Sequence, residues 1–241
     1  MITAFITSSP FREDVDRPTF SNANGFVDRI RASLPEYPRC LYICSSPDRR
    51  DLNCLFGADI FMAFANAGIH FSSYHVLDGW NAHEAETLVA GSDLIVLAGG
   101  HVPTQNAFFR QICLRELLHN FDGTVMGISA GSMNCADTVY AQPEEPGESS
   151  PDFQRFCPGL GLTQVNILPH YQKCKNDILD GLRLFEDITY ADSMGHTFYV
   201  LPDFSYVLDN GREAILFGEG YRIRDGILEL LTCHGEMYRI K

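Results

Sequence analysis

An alternation of two apolar patterns constrains this chain more than any other feature. Five short apolar runs, Ile2–Ile6, Cys40–Ile43, Phe71–Leu77, Leu94–Leu97 and Val125–Ile128, are separated by stretches whose apolar residues recur at helical spacing. One such stripe holds Phe26, Val27, Ile30 and Leu34. A second, over 51–67, holds Leu55, Ile60, Phe61 and Phe64. A short third covers 81–90, and a fourth, over 104–120, holds Phe108, Ile112, Leu114, Leu117 and Leu118. Short uninterrupted apolar runs suit strands buried on both faces, and stripes with a period near 3.6 suit helices laid over them. Strand and helix in turn predict an α/β fold: a mostly parallel central sheet flanked by helices on both faces.

Beyond residue 140 the pattern changes. Gln142-Pro143-Glu144-Glu145-Pro146-Gly147-Glu148-Ser149-Ser150-Pro151 is a polar, acidic, proline-rich loop. Thr163–His170 reads as a strand that ends at Pro169-His170. Further on, Phe198–Leu201, Ser205–Leu208, Ala214–Phe217, Tyr221–Ile223 and Leu228–Leu231 read as antiparallel hairpins split at Asn210-Gly211, Gly218 and Asp225-Gly226. No linker, internal repeat or low-complexity tract divides the chain, so a single α/β domain over residues 1–241 is expected.

One junction carries chemistry. Val125-Met126 runs into Gly127-Ile128-Ser129-Ala130-Gly131, and a helical pattern with Met133, Ala136 and Val139 follows. A strand that reverses into a helix within one residue forces that residue into strained backbone angles, and small neighbours relieve the crowding. Ser129 would then project at the carboxyl end of the strand, where open α/β sheets place their ligands. The Ala130 amide, at the start of the helix, is the natural donor to a developing oxyanion. Leu94–Leu97 ends at Ala98-Gly99-Gly100-His101, and Gly100 offers a second amide beside it.

A serine hydroxyl needs a base to act as a nucleophile, and the base needs orienting. His170 follows a strand and lies downstream of the serine, with His196 and His101 as the other candidates. His75 falls inside a strand pattern and His119 at a helix end. The formal net charge of −13 argues against nucleic acid or an anionic membrane as partner. The first residues lack the basic and long apolar segments of a secretory signal, and no run is long enough to span a membrane. The eight cysteines are scattered without a C-x-x-C pair, which predicts reduced thiols and a cytoplasmic setting. No metal or cofactor is implied by any motif. Exposed edges of the C-terminal hairpins leave a homodimer open.

Gly127-Ile128-Ser129-Ala130-Gly131-Ser132, Gly99-Gly100 with Gln105 shortly after, and Leu168-Pro169-His170 together resemble the peptidase E (aspartyl dipeptidase) and cyanophycinase family of serine peptidases, across nearly the whole chain. The resemblance implies a class I glutamine amidotransferase-like fold. It also implies Ser129 as nucleophile, His170 as general base, and an oxyanion hole from the Gly100 and Ala130 amides. The family's third member is a carboxylate between serine and histidine, which points here to Glu145, then Glu144, with Glu148, Asp137 and Asp152 around them. The substrate would be a small peptide, aspartyl or β-aspartyl, met by Gln105, Arg110 and His101. His101-Val102-Pro103-Thr104-Gln105-Asn106 departs from the dipeptidase pattern, which carries a further glycine and an asparagine there. Cyanophycinases cut between aspartate side chains and arginine, a substrate suited to an acidic pocket. Two rivals stand beside this reading: an esterase of the α/β-hydrolase type, and a non-catalytic amidotransferase-like module that binds a small amide or a protein.

Overall fold

The computed structural model describes residues 1–241. Its strands are β1 Thr3–Thr7, β2 Arg39–Ile43, β3 Ser73–Leu77, β4 Leu94–Leu97, β5 Thr124–Ile128, β6 Thr138–Tyr140, β7 Phe156–Pro158, β8 Ile167–Leu168, β9 Ile178–Leu179, β10 Leu182–Arg183, β11 Thr197–Val200, β12 Tyr206–Asp209, β13 Ala214–Phe217, β14 Gly220–Arg224, β15 Ile227–Thr232 and β16 Met237–Ile240. The helices are α1 Phe26–Ala32, α2 Arg50–Asn66, α3 Ala85–Ala90, α4 Val102–Gln111, α5 Leu114–Leu118, α6 Ala130–Met133, α7 Tyr171–Cys174 and α8 Tyr190–Asp192.

The central sheet has eight strands in the order β16-β13-β12-β1-β5-β4-β2-β3. From β1 to β3 every pairing is parallel, and from β1 outward through β12, β13 and β16 every pairing is antiparallel. All four residues of β4 and all five of β5 are buried. That is why these strands read as continuous apolar runs rather than as alternations. The helices that cover the sheet bury much of their stripes against it, although Leu55 and Phe61 of α2, expected to face the sheet, are exposed. The Phe5 ring of β1 meets Phe26 of α1 edge-on, with centroids 6.0 Å apart.

A second sheet, β15-β14-β11-β8, stands beside the first. Within it β8 and β11 are parallel, with Val200 opposite Leu168, and the rest is antiparallel. Hairpins form where expected at Asn210-Gly211, between β12 and β13, and at Asp225-Gly226, between β14 and β15. Gly218 does not make one. There the chain crosses from the central sheet (β13) to the second sheet (β14). The fourth helical stripe is broken in two at Cys113, whose left-handed φ of 51° separates α4 from α5. The helix after Ser129 lasts only one turn. Val139, expected to continue it, lies instead in β6. No helix is long and apolar enough to cross a membrane. All eight cysteines are free, and Cys40, Cys44 and Cys135 are buried.

Candidate active site

Parallel strands present their carboxyl ends along one edge, so β1, β4 and β5 deliver Ser8, Gly100 and Ser129 to the same place. Ser129 sits between β5 and α6 with φ 49° and ψ −112°, a left-handed conformation that serine rarely adopts. Its amide, shared between the Thr7 and Ser8 carbonyls at 3.1 and 3.0 Å, holds the corner shut. Gly131 is needed next. A side chain there would collide with the Leu97 and Ala98 carbonyls of the neighbouring strand end. Gly100 has φ +150°, and a Cβ on it would overlap Ser45. The Gly100 amide makes no hydrogen bond within the chain. The Ala130 amide opens α6 and has no intrahelical acceptor.

His170 reaches Ser129 from the second sheet. Its Nε2 lies 2.9 Å from Ser129 Oγ, and its Nδ1 lies 2.7 Å from Asp203 Oδ1. With the ring neutral and its proton on Nδ1, Nε2 is free to accept the serine proton. Like Ser129, His170 has a left-handed backbone, with φ 58°. Its amide donates to Ser8 Oγ at 2.8 Å, and that hydroxyl donates to Asp203 Oδ1 at 2.9 Å. Gln172 Nε2 donates to Asp203 Oδ2 at 2.6 Å, and Lys173 Nζ stands 3.1 Å from the same oxygen. Burial works against ionisation of Asp203. The hydrogen bond and charge of His170, with Lys173 and Ser8, outweigh it and hold the carboxyl well below the usual range.

The carboxylate on the imidazole is therefore Asp203, which follows the histidine. It is neither Glu145 nor Glu144. The reason lies in the strand pairing. β8 leads into Pro169-His170 and β11, beside it and parallel with Val200 opposite Leu168, leads into Leu201-Pro202-Asp203, so the segments after the two strands set imidazole and carboxylate side by side. The Glu144 and Glu145 amides instead donate to Glu148 Oε2, at 2.9 and 3.0 Å. Glu148 Oε1 lies 2.8 Å from His101 Nε2, which ties the acidic loop to the end of β4. His196, the other candidate base, stacks on Phe156 with centroids 4.3 Å apart.

A cavity of about 270 Å³ opens over Ser129, lined by Gly100, His170, Met133, Glu144 and Asp177 among others. No lysine or arginine lines it. Burial pushes the Glu144 carboxyl above its ordinary range, partly offset by the His101 charge. The three residues expected to meet substrate are placed elsewhere. Gln105 is buried and spends its amide on the Ala98 carbonyl at 2.8 Å and on Asn134 Nδ2 at 3.1 Å. His101 is taken up by Thr104 and Glu148. Arg110 is exposed and outside the lining.

The fold has a counterpart of known structure. A crystal structure of a "Putative Peptidase E Protein" from Listeria monocytogenes EGD-e superposes with a TM-score of 0.58 over 90% of this chain and 98% of that one, at 17% sequence identity. The fold is peptidase E-like. No family model matches the sequence, and no curated protein matches it either. The mostly parallel sheet and its antiparallel extension belong to that fold.

Proposed function

We propose that this protein is a serine hydrolase that cleaves amide bonds of small peptides through Ser129, His170 and Asp203. One observation carries the reading: an unbroken contact chain, Oγ to Nε2 at 2.9 Å and Nδ1 to carboxylate at 2.7 Å, starting at a serine in a strained strand-to-helix corner. In the mechanism, His170 Nε2 takes the hydroxyl proton as Ser129 Oγ attacks the scissile carbonyl. Asp203 keeps the ring proton on Nδ1 and stabilises the imidazolium. The Gly100 and Ala130 amides receive the oxyanion, and each such donor is worth on the order of 100-fold or more. The imidazolium then protonates the leaving amine, and water, activated by the same nitrogen, releases the acyl group from the serine.

The lining bears on specificity. A pocket that selects an N-terminal aspartate needs a cation or amide for that carboxylate, and here Glu144 and Asp177 face the cavity instead. Of the two specificities that the family resemblance implies, a β-aspartyl bond with a cationic group in the cavity suits these carboxylates better than an N-terminal aspartate. The test is a fluorophosphonate probe together with a panel of aspartyl, β-aspartyl and glutamyl dipeptides, including β-aspartyl-arginine and β-aspartyl-lysine. Labelling and turnover by the wild type, both lost in Ser129→Ala, support the hydrolase. Ligand binding with neither labelling nor turnover would favour the non-catalytic module.

A further inference from the structure

A second cavity, of about 440 Å³, lies in the cleft between the two sheets and takes no part in the chemistry above. The second sheet supplies one wall. Along β11 and β14 the residues Phe198, Val200 and Ile223 point into the core, so the alternate positions Tyr199, Arg222 and Arg224 share the opposite face. Register confirms it: Tyr199 stands opposite Arg222, and Thr197 opposite Arg224. The β12–β13 turn of the central sheet contributes Arg212 to the other wall.

Three features mark this cleft as a built site. Tyr199 is 8% exposed, lines the cavity, and its hydroxyl makes no hydrogen bond within the chain, so it is free to donate to a ligand there. Arg212 makes no ion pair, and Arg224 has only a 3.5 Å approach to the adjacent Asp225, whereas Arg222 is paired with Glu229 at 2.5 Å. The acidic side chains of the lining are already engaged. Asp209 accepts from Thr163 Oγ1 at 2.6 Å and from the Gly211 amide at 2.9 Å, and Glu213 is paired with Arg239 at 3.0 Å. Guanidinium groups that line one cleft with a phenol hydroxyl are a donor set for an oxyanion, since arginine presents paired N–H groups that match phosphate and carboxylate. The lining sets Arg212, Arg222, Arg224 and Lys241 against Asp209 and Glu213, in a chain whose formal net charge is −13.

We propose that this inter-sheet cleft binds a small anionic metabolite bearing a phosphate or several carboxylates, held by Tyr199, Arg222 and Arg224 with Arg212 at the rim. The cleft is too small and too isolated in an acidic protein to track a nucleic acid backbone, which needs an extended basic surface. The site lies on β11, the strand that leads to Asp203, but its occupancy does not depend on hydrolysis.

Isothermal titration of the full chain with inorganic phosphate, pyrophosphate and citrate tests this. At least one should bind saturably with a Kd at or below about 1 mM. Phosphate or pyrophosphate binding without citrate binding identifies a phosphate ligand, and the reverse identifies a polycarboxylate. Arg222→Gln combined with Arg224→Gln should weaken binding at least tenfold, and Tyr199→Phe should weaken it several-fold. Arg183→Gln, an exposed arginine elsewhere, and Ser129→Ala should leave it unchanged. Absence of saturable binding to all three anions would overturn the proposal. So would binding that the arginine and tyrosine variants leave intact, because the anion would then sit elsewhere.

Discussion

The molecule contains two hydroxyl–imidazole–carboxylate chains, and they are close in geometry. In one, Ser129 Oγ, His170 and Asp203 are joined at 2.9 and 2.7 Å. In the other, Thr104 Oγ1, His101 and Glu148 are joined at 2.7 and 2.8 Å. The difference lies in what surrounds the hydroxyl. Ser129 is pinned at φ 49° at the mouth of α6, beside free amides and a cavity. Thr104 lies in the first turn of α4, three residues from its histidine, and outside that cavity. The imidazoles are also turned oppositely. His170 offers Nε2 to its hydroxyl and His101 offers Nδ1. A proton path alone therefore does not make a nucleophile. In the proposed mechanism the corner and the amides offered to the oxyanion complete the site, while the Thr104 chain ties down the acidic loop.

The largest test of this contrast is deletion of each hydroxyl. Ser129→Ala should lower kcat at least about 10,000-fold on any peptide that the wild type cleaves. Thr104→Ala should change it less than about threefold, because its loss removes only a loop tie. Equal losses in steady-state assays would mean that the Thr104 chain also does chemistry.

The next contrast is between the carboxylates. Asp203→Asn preserves shape but allows the wrong histidine tautomer, and a drop in kcat of roughly 1,000- to 10,000-fold is expected. Glu145→Gln should leave kcat within about threefold, since the Glu145 side chain makes no contact with His170. Glu148→Gln weakens the His101 tie, so its effect should fall on KM more than on kcat. Measured kcat and KM for the three variants separate these roles. A severe kcat loss in Glu145→Gln alongside a mild one in Asp203→Asn would return the role to the loop.

Much of this was legible in the sequence, and the gaps have physical causes. The parallel core could be read because β4 and β5 are buried on both faces and so are written as unbroken apolar runs. The corner could be read because Gly131 must admit two carbonyls, a requirement that leaves a glycine in the chain. The break at Cys113 left no such mark, since a cysteine gives no hint of a left-handed φ. Asp203 was obscured because the resemblance implied a carboxylate between serine and histidine, where the acidic loop offers several, while the residue on the imidazole follows it by 33 positions and is brought there by the pairing of β8 with β11. A signal existed nonetheless: Leu168-Pro169-His170 and Leu201-Pro202-Asp203 are the same strand ending written twice. Gln105, expected at the substrate, is spent inside on Ala98 and Asn134, and burial of a polar side chain is not visible in a linear pattern.

The smallest effect discriminates most finely, because Asp203 and Glu144 are displaced in opposite directions. Asp203 is held low by His170, Lys173 and Ser8 despite burial. Its ionised form therefore stabilises the fold above the unfolded carboxylate value of about 4. That contribution fades as pH falls through the lower folded value. Glu144 is held high by burial, with Glu148 and Glu145 adding to the rise and His101 opposing it. Its contribution is complete at low pH and is lost as pH rises through the raised value, because the ionised form is then disfavoured by partial desolvation and by the neighbouring carboxylates. Chemical denaturation of wild type, Asp203→Asn and Glu144→Gln at pH 7, near pH 4 and below pH 3 reads the two slopes. Asp203→Asn should be less stable than wild type at pH 7 and almost equally so near pH 4, with the gap narrowing only as pH falls below the unfolded carboxylate value. Glu144→Gln should match or slightly exceed wild type at pH 7 and lose that advantage in acid. A cationic substrate analogue should cancel the Glu144→Gln advantage at pH 7, since it supplies the charge that the cavity lining lacks.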